Sequence, residues 1–249
     1  MTQAPDSPRV RLYVKHPLGP GQPVVLAQDQ AHYLFNVMRL GVGNNVALFN
    51  GTDGAWRAVV RDAGRRGGTL ECRDQCAPQR DPPDLWLLFA PVKKARTDFI
   101  VEKATELGAA RIIPVQTRFT NAERVRTDRL QAHAVEAAEQ CGATFVPEVA
   151  DLARLDRLLT GWDSGSNGAR RILWADESPD APGVAFSSLA PGPWAVLIGP
   201  EGGFAGAERA KLRALPFVTP LALGPRILRA DTAAVAALTL WQAHLGDWA

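Results

Sequence analysis

The segment WAVLIGPEGGF, residues 194–204, is the most informative part of the sequence about the fold. Its apolar first half predicts a buried strand over residues 194–199, and three glycines fall within residues 199–203. Glycine allows a positive φ and a close approach of the main chain to another group, at a cost in backbone entropy. The loop is therefore interpreted in one of two ways, as a tight turn or as a cradle whose backbone N–H groups face a ligand.

A second glycine loop lies in LALGPRILRADTAA, residues 221–234. A strand is predicted over 217–224 and a helix over 232–246, with Asp231 or Thr232 as the N-cap of that helix. Ligands bind at the carboxyl ends of strands in open parallel sheets, so the two loops predict one pocket with a floor of backbone amides. The apolar walls of this pocket would suit a flat, polar-edged ligand such as an adenine nucleoside. They are predicted to be Leu197, Ile198, Leu223, Ile227 and Leu228.

Strands and helices alternate after the proline-rich segment 77–85, which indicates a linker. Strands are predicted over 85–92, 111–115, 145–149, 171–175, 194–199 and 217–224, and helices over 97–108, 128–141, 151–159, 205–215 and 232–246. A flexible loop is predicted over 164–168. The first helix is predicted to align Phe99, Ile100, Lys103, Ala104 and Leu107 on one face. The alternation predicts an α/β domain with a largely parallel sheet over residues 81–249.

Residues 1–80 have a different pattern, with short strands and tight turns. A hairpin is predicted over 46–60, with Asn50-Gly51 and Asp53-Gly54 as turn signals. A further strand is predicted over 68–73 and a short helix over 31–40. This part of the chain is predicted to be a small β-rich domain, in the form of a barrel.

Composition and charge narrow the class of protein. The chain of 249 residues is 46% hydrophobic, which supports a sizeable core and argues against disorder. The net charge is +2, but residues 85–129 carry 9 Lys/Arg against 5 Asp/Glu. Such a basic patch can bind phosphate backbones, and a solvated helix face is the alternative reading. Three sparse cysteines, and the absence of a signal-peptide pattern or a membrane-length apolar run, predict a reduced, cytoplasmic protein that binds no membrane.

The common catalytic motifs are missing from the sequence. There is no Walker A loop, no G-x-G-x-x-G, no G-x-S-x-G and no H-E-x-x-H. The four histidines are scattered, and His133, in the middle of a predicted helix, is interpreted as structural. No Cys/His cluster has metal-ligand spacing, so we expect neither hydrolytic chemistry nor a bound metal.

Several motifs together resemble one enzyme family. The two glycine loops resemble the paired motifs of the SPOUT methyltransferases that make N3-methyluridine in bacterial 16S rRNA. Three further stretches fit the same family: HYLFNVMRL (32–40), KKARTDFIVEKATELGAARIIPV (93–115) and EAAEQCG (136–142). The resemblance covers nearly the whole chain. Departures are Ala143 and Phe145, where basic residues are usual, and Asp231, where the family carries the longer Glu.

The resemblance implies a fold, a cofactor and partners. Residues 1–80 would be a PUA-like RNA-binding barrel, and residues 81–249 a SPOUT α/β domain with a trefoil knot. The cofactor would be S-adenosyl-L-methionine, and the substrate 16S rRNA or the small ribosomal subunit. The enzyme would be a homodimer, with each active site near the subunit interface. Two alternatives stay open: a SPOUT tRNA methyltransferase, and a non-catalytic RNA-binding factor in ribosome assembly.

Site residues follow from the motifs. Arg229 is the first choice for stabilising charge on the uracil, and Arg226 the second, with surface ion pairs as the alternative role. Glu201 is a candidate base, although a structural carboxylate or proton transfer to solvent would serve as well. The cofactor-binding residues would be Leu197, Ile198, Gly199, Pro200, Gly202, Gly203, Leu223, Gly224, Ile227, Leu228, Thr232 and Ala233. The RNA-binding residues would be His32, Arg39, Lys93, Lys94, Arg96, Arg118 and Arg124.

Overall fold

The protein is described by a computed structural model covering residues 8–64, 66–122, 124–162, 169–178 and 185–249. The chain forms two units. The N-terminal unit contains Met1–Asp81 together with Ala138–Val146, and the C-terminal unit contains Pro82–Ala137 and Pro147–Ala249. The loop predicted over 164–168 lies outside the described residues.

A five-stranded, curled sheet forms the centre of the N-terminal unit. Its strands are β1 (Arg11–Tyr13), β2 (Pro23–Val25), β3 (Asn45–Phe49), β4 (Ala55–Ala63) and β5 (Gly68–Ala77), in the order β1-β3-β4-β5-β2. The predicted hairpin is β3 and β4, which pair in antiparallel register from Asn45 opposite Val59 to Phe49 opposite Ala55. The inward side chains of these strands, such as Val46, Leu48 and Leu70, form one buried apolar core.

The short helix predicted over 31–40 begins three residues earlier, at Gln28, and changes from an α-helix to a π-helix along its length. Helix α1 (Gln28–Ala31) runs directly into a wider π-helical turn, His32–Val37. The N–H of Met38 donates to the carbonyl of Tyr33 at 2.9 Å, which is the i→i+5 spacing of such a turn. Arg39 follows with φ 56°, a left-handed conformation that is costly for a residue with a side chain.

The last part of helix α3 (Thr127–Cys141) belongs to the N-terminal unit, together with the residues that follow it up to Val146. Here the side chain of Glu139 accepts from the N–H of Tyr13 at 2.9 Å, and Arg11 donates to the carbonyl of Ala143 at 2.7 Å. The N–H of Arg80 donates to Thr144 Oγ1 at 3.0 Å. Ala143 also packs in a small apolar cluster around Phe49. The position where the resemblance led us to expect a basic side chain is therefore a packing position.

The C-terminal unit is an α/β fold with a parallel sheet, which confirms the predicted class. Its strands are β6 (Leu85–Phe89), β7 (Arg111–Gln116), β8 (Glu148–Val149), β9 (Ala153–Arg154), β10 (Arg171–Ala175), β11 (Trp194–Ile198) and β12 (Val218–Leu221). The order is β12-β10-β11-β6-β7-β8, with β9 pairing with the end of β7, and every described pair is parallel. All residues of β6 and β11 are buried, as expected for central strands covered on both faces.

The described part of this unit has five α-helices, of which the last follows the final strand: α2 (Lys94–Glu106), α3 (Thr127–Cys141), α4 (Leu155–Thr160), α5 (Gly206–Ala214) and α6 (Ala230–Leu245). A short 3₁₀ turn covers Phe186–Ser188. Of the residues predicted to share one face of α2, Ile100 and Ala104 are buried and Phe99 is not. The buried residues of α2 include Ile100, Val101 and Ala104, whereas Phe99 is 39% exposed. The spacing of the apolar residues is compatible with two different buried faces of α2. Packing of α2 on α6 buries the face that does not include Phe99.

The start of α6 also differs from the prediction. The helix begins at Ala230, two residues before the expected start, and Arg229 is its extended N-cap, with φ −69° and ψ 154°. Asp231 lies in the first turn, where its negative carboxylate interacts favourably with the positive end of the helix dipole. Neither Asp231 nor Thr232 is therefore the cap.

Candidate methyl-transfer site

Loops gather at one edge of the C-terminal sheet because all its strands run parallel. Three of them are adjacent, since β10 lies between β12 and β11 and each strand ends at the same edge. These are the segment after β10, the first glycine loop after β11 and the second glycine loop after β12. Such an edge is the usual ligand site in open α/β sheets.

The first glycine loop depends on its glycines for internal packing. A Cβ on Gly203, which has φ 66°, would lie 2.1 Å from Glu177 Oε1. A Cβ on Gly199 would lie 2.6 Å from the ring of Phe204, which is buried edge-on against Trp174 at a centroid distance of 5.7 Å. At Gly202 a Cβ would come to 3.3 Å from Phe119 Cβ. Gly199 and Gly203 thus serve the turn itself, whereas Gly202 faces a cleft.

The second glycine loop is open. Gly224 has φ 101°, and a Cβ there would meet nothing within 4 Å. Ile227 is 83% exposed, and Leu223 and Leu228 are partly exposed. The other two predicted wall residues, Leu197 and Ile198, lie inside the sheet, where Leu197 is part of the main core. The prediction that all five residues wall one pocket is therefore wrong for the two residues of β11.

The remaining predicted cofactor residues lie close to these loops in the chain. Pro200 is buried and Thr232 is exposed in the first turn of α6. Ala233 is 8% exposed, and its N–H donates to the carbonyl of Arg229 at 2.8 Å as α6 begins. The backbone of the second loop is thereby fixed at its carboxyl end, while residues 224–227 stay at the surface.

A charged cluster after β10 was missed by the sequence analysis. The buried carboxylate of Asp176 accepts from the N–H of Ser178 at 3.1 Å and from Arg213 at 3.0 Å. Burial raises the pKa of Asp176, but the hydrogen bonds from Ser178 and the charge of Arg213 outweigh it, so the pKa is lower than usual. Arg209 donates to Ser178 Oγ at 2.8 Å and forms an ion pair with Glu177.

This cluster fixes α5 to the first glycine loop. Arg209 Nε also donates to the carbonyl of Phe204 at 3.0 Å, so one guanidinium binds both the segment after β10 and the loop after β11. A signal was available, because two acidic residues and a serine, DES (176–178), follow directly on a predicted strand. Its partners lie more than 30 positions away on α5, where local spacing does not reveal them.

Arg96 connects three elements of the unit. It projects from α2 and forms an ion pair with Glu201 of the first glycine loop, and its Nε lies 3.9 Å from Asp231 Oδ2 in α6. From the sequence, Arg96 was predicted to bind RNA, and Glu201 was a candidate for the general base. The structure instead brings the two together as partners.

The other predicted arginines and lysines are at the surface. Arg226 and Arg229 are exposed in the second glycine loop. Lys93 and Lys94 are exposed at the start of α2, and so are Arg118 and Arg124 after β7. His32 and Arg39 are exposed in the N-terminal unit, where His32 Nδ1 lies 3.0 Å from Asn36 Nδ2.

Two clefts lie at this edge of the C-terminal sheet. One has a volume of about 200 Å³ and is lined by Pro91, Val92, Lys93, Phe119, Asn121, Ala122, Pro200, Glu201 and Gly202. The other, of about 570 Å³, is lined by Gln116, Thr117, Arg118, Thr120, Arg154, Asp156, Ala205, Ala207 and Glu208. The first contains part of the glycine loop, and the larger one lies beside the start of α5.

Within the residues that the structure describes, no three His, Cys, Asp or Glu side chains lie together as metal ligands would. None of the helices in the described ranges combines the length and the apolar character that crossing a membrane requires.

Comparison with known proteins agrees with the geometry. A model described as an RNA methyltransferase domain matches residues 79–242, and one described as an RNA methyltransferase PUA domain matches residues 26–71. The ribosomal RNA small subunit methyltransferase E of Rickettsia conorii is 30% identical over 232 residues, which are 92% of this chain and 93% of the relative. The protein of the same name from Bacillus subtilis is 27% identical, over 85% of this chain and 86% of its own.

Solved structures agree along almost the full length. The ribosomal RNA small subunit methyltransferase E of Neisseria gonorrhoeae, bound to S-adenosylmethionine, matches with a TM-score of 0.85 at 26% identity, over 96% of this chain and 99% of that one. A Legionella pneumophila methyltransferase in complex with the same cofactor matches with a TM-score of 0.85 at 28% identity, over 96% and 98%. The resemblance found in the sequence is confirmed. The chain belongs to the RNA methyltransferase family that includes the ribosomal RNA small subunit methyltransferase E proteins.

Proposed function

We propose that this protein transfers a methyl group from S-adenosylmethionine to N3 of a uridine in the 16S rRNA of the small ribosomal subunit. The observation that carries the proposal is the pair of glycine loops after β11 and β12, at one edge of a parallel sheet and next to exposed Arg226 and Arg229. A ribosomal substrate places the enzyme in the cytoplasm.

The second glycine loop suits the cofactor. Its backbone is open at Gly224, and the partly exposed side chains of Leu223 and Leu228 offer apolar contact on both sides. Exposed backbone amides and apolar flanks are what an adenine nucleoside requires. When bound, S-adenosylmethionine supplies an electrophilic methyl carbon on a sulfonium sulfur. Relatives with the same overall fold were solved with this molecule.

Uridine N3 carries a proton, and its lone pair is delocalised into the two flanking carbonyls. In the proposed step the N3–H proton leaves, a bond forms between N3 and the methyl carbon, and the bond from that carbon to sulfur breaks. The bonding pair stays on sulfur, which becomes a neutral thioether. Arg229 would stabilise negative charge on a uracil oxygen, with Arg226 as the second choice, because preorganised donors act most strongly where charge develops.

The proton acceptor in this scheme is solvent. Glu201, the other candidate, is already the ion-pair partner of Arg96. A carboxylate that is held in an ion pair is better suited to positioning the loop than to accepting a proton as a general base. Arg96 is accordingly removed from the proposed RNA contacts and assigned to the support of the first glycine loop.

RNA binding is proposed to involve both units. Residues 1–80, as a PUA-like domain, would dock RNA through His32 and Arg39, which the π-helical turn and the left-handed Arg39 hold at the surface. Unusual backbone of this kind concentrates at functional sites. In the catalytic domain, proposed as residues 81–249, the exposed Lys93, Lys94, Arg118 and Arg124 would contact phosphates.

A homodimer is part of the proposal. Ile227 is 83% exposed within the second glycine loop, which is an unusual place for a large apolar side chain unless another surface covers it. A second copy of the chain is the proposed cover. Sedimentation of the full chain and of an Ile227→Asp variant tests this point, since a monomeric wild-type protein contradicts it.

A methyl-transfer assay tests the whole function. Purified protein is incubated with cofactor and with three substrates separately: small ribosomal subunits that lack the modification, free 16S rRNA and tRNA. Mass spectrometry of the nucleosides then identifies the product. N3-methyluridine in the small-subunit RNA supports the proposal. Methylation of tRNA alone favours the tRNA enzyme, and tight RNA binding without methyl transfer favours the assembly factor.

A further inference from the structure

We infer that the cleft of about 200 Å³ beside the first glycine loop is the pocket for the target base, which stacks on Phe119 and has a ring carbonyl bound by Asn121. The inference rests on the proposed function and adds to it the residues that hold the substrate. The cleft is formed by three segments of the C-terminal unit: the turn before α2 (91–93), the loop after β7 (119–122) and the first glycine loop (200–202).

The size of the cleft suits one ring. Sites that enclose a whole drug-sized ligand measure about 300–1,000 Å³, so about 200 Å³ is too small for the cofactor. A pyrimidine whose Watson–Crick edge is to react has to leave its stack, and enzymes that modify bases place the extruded ring in a small pocket. The cleft therefore fits an unstacked base.

Phe119 provides the stacking surface. It is 47% exposed, although large aromatic side chains are usually covered, and it stands in the loop after β7. Its Cβ would lie 3.3 Å from a Cβ built on Gly202, so the absence of a side chain at Gly202 leaves room for the two segments to approach. Unpaired bases stack on aromatic rings of this kind in single-stranded RNA recognition.

Polar groups in the cleft match the edge of uracil. The side chains of Asn121 and Lys93 line it, and within the described residues neither has a hydrogen-bond partner. The Asn121 amide can donate to a carbonyl next to N3, which gains negative charge as the proton leaves. The Lys93 ammonium can bind the phosphate of the same nucleotide.

The cleft also lies at the correct place for reaction. Pro200, Glu201 and Gly202 line it and belong to the first of the two glycine loops that carry the proposed methyl-transfer site. Arg96 fixes Glu201 from α2 and thereby holds one wall of the cleft. A base bound against this wall lies next to the first glycine loop. It leaves the more open second glycine loop free for the cofactor.

The test compares full-length variants on small ribosomal subunits that lack the methyl group. Phe119→Leu keeps apolar packing against Gly202 but removes the ring face, and Phe119→Tyr keeps the ring. Phe99→Leu is the matched control, because Phe99 is also partly exposed but is not one of the residues that line the cleft. Cofactor affinity by calorimetry and the melting temperature are measured for each variant, alongside kcat and KM.

We expect Phe119→Leu to lower kcat/KM about tenfold to a hundredfold, the range expected when a stacking partner for a base is lost. Phe119→Tyr should retain more activity than Phe119→Leu, because it keeps the ring face. Phe99→Leu should stay near wild type, and all variants should bind S-adenosylmethionine normally. Asn121→Ala should lower kcat about 10²–10³-fold with unchanged cofactor affinity, because it removes a donor to a carbonyl that gains charge.

Two results overturn the inference. Wild-type kinetics of Phe119→Leu on subunits that the native enzyme methylates would show that no base stacks there. A parallel loss of cofactor affinity and rate in both Phe119 variants would show that the side chain only supports the glycine loop. If the wild-type protein methylates none of the RNA substrates, the proposed function itself fails, and the base pocket falls with it.

Discussion

The guanidinium of Arg96 and the carboxylate of Glu201 form an ion pair between α2 and the first glycine loop. The same guanidinium approaches Asp231 in the first turn of α6. The first glycine loop and α6, which starts where the second loop ends, are thus tied to a common side chain of α2. Positioning of this kind matters for methyl transfer, where small misplacements of the reacting groups reduce the rate strongly.

Arg96→Ala and Glu201→Gln should lower methyl transfer to a similar extent, about tenfold each, because both break the same ion pair. The double variant should be no worse than either single variant, since residues in contact do not act additively. Arg157→Ala, which changes an exposed arginine of α4, is the control. If Glu201 is the base instead, Glu201→Gln alone should lose about 10²–10⁴-fold in rate while Arg96→Ala stays close to wild type.

Arg229→Ala should lower the single-turnover rate of methyl transfer about 10²–10³-fold, the range for losing a donor that stabilises charge in the transition state. Cofactor affinity should hardly change, because backbone and apolar groups are proposed to supply it. Arg229→Lys should restore part of the rate, since an ammonium lacks the planar fork of donors. A joint fall of rate, cofactor affinity and melting temperature would mean that Arg229, the N-cap of α6, acts only on the structure of the loop.

Gly203→Ala should damage the first glycine loop. The residue has φ 66°, and its new Cβ would fall 2.1 Å from Glu177 Oε1, so the Glu177–Arg209 ion pair has to move. We expect a loss of about 1–3 kcal/mol in stability and weaker cofactor binding. Gly206→Ala is the matched control, because nothing lies within 4 Å of its Cβ and α5 begins there. Equal melting temperatures for the two variants would contradict the packing described for this loop.

Asp176→Asn should lower the melting temperature at neutral pH. The pKa of Asp176 is below its usual value in the folded protein, since the hydrogen bonds from Ser178 and the charge of Arg213 outweigh the effect of burial. A carboxylate with a lowered pKa stabilises the fold above the unfolded pKa of about 3.9, and this contribution is lost as the pH falls towards the folded pKa. The difference in melting temperature between wild type and variant should therefore shrink below about pH 4. A difference that is constant from pH 7 to pH 3 would mean that the charge of Asp176 does not contribute.

The parts of the fold that could be predicted are those with a strong local pattern. The glycine loops follow β11 and β12 as expected, because an apolar run that ends in glycine marks both the strand and its end. Strands β1 and β2 were missed, since three residues are too few for an alternating pattern to be recognised.

The features of the site that could not be predicted from the sequence depend on partners that are far apart in the chain. Glu201 lies 105 positions after Arg96, and Arg209 and Arg213 lie more than 30 positions after the acidic residues they bind. Each of these side chains is compatible with a solvated surface when only its neighbours in sequence are considered. The ion pairs exist because parallel strands bring distant loops to one edge of the sheet, and the spacing within a motif contains no information about that.

The return of residues 138–146 to the N-terminal unit has a consequence for synthesis on the ribosome. The chain up to Asp81 contains the complete five-stranded sheet, but Glu139 and Ala143, which bind the edge strand through Tyr13 and Arg11, are translated much later. At about 5–20 residues per second, the nascent sheet waits for several seconds with β1 uncovered. The N-terminal unit therefore reaches its final state only after residues 82–137 of the C-terminal unit have been translated.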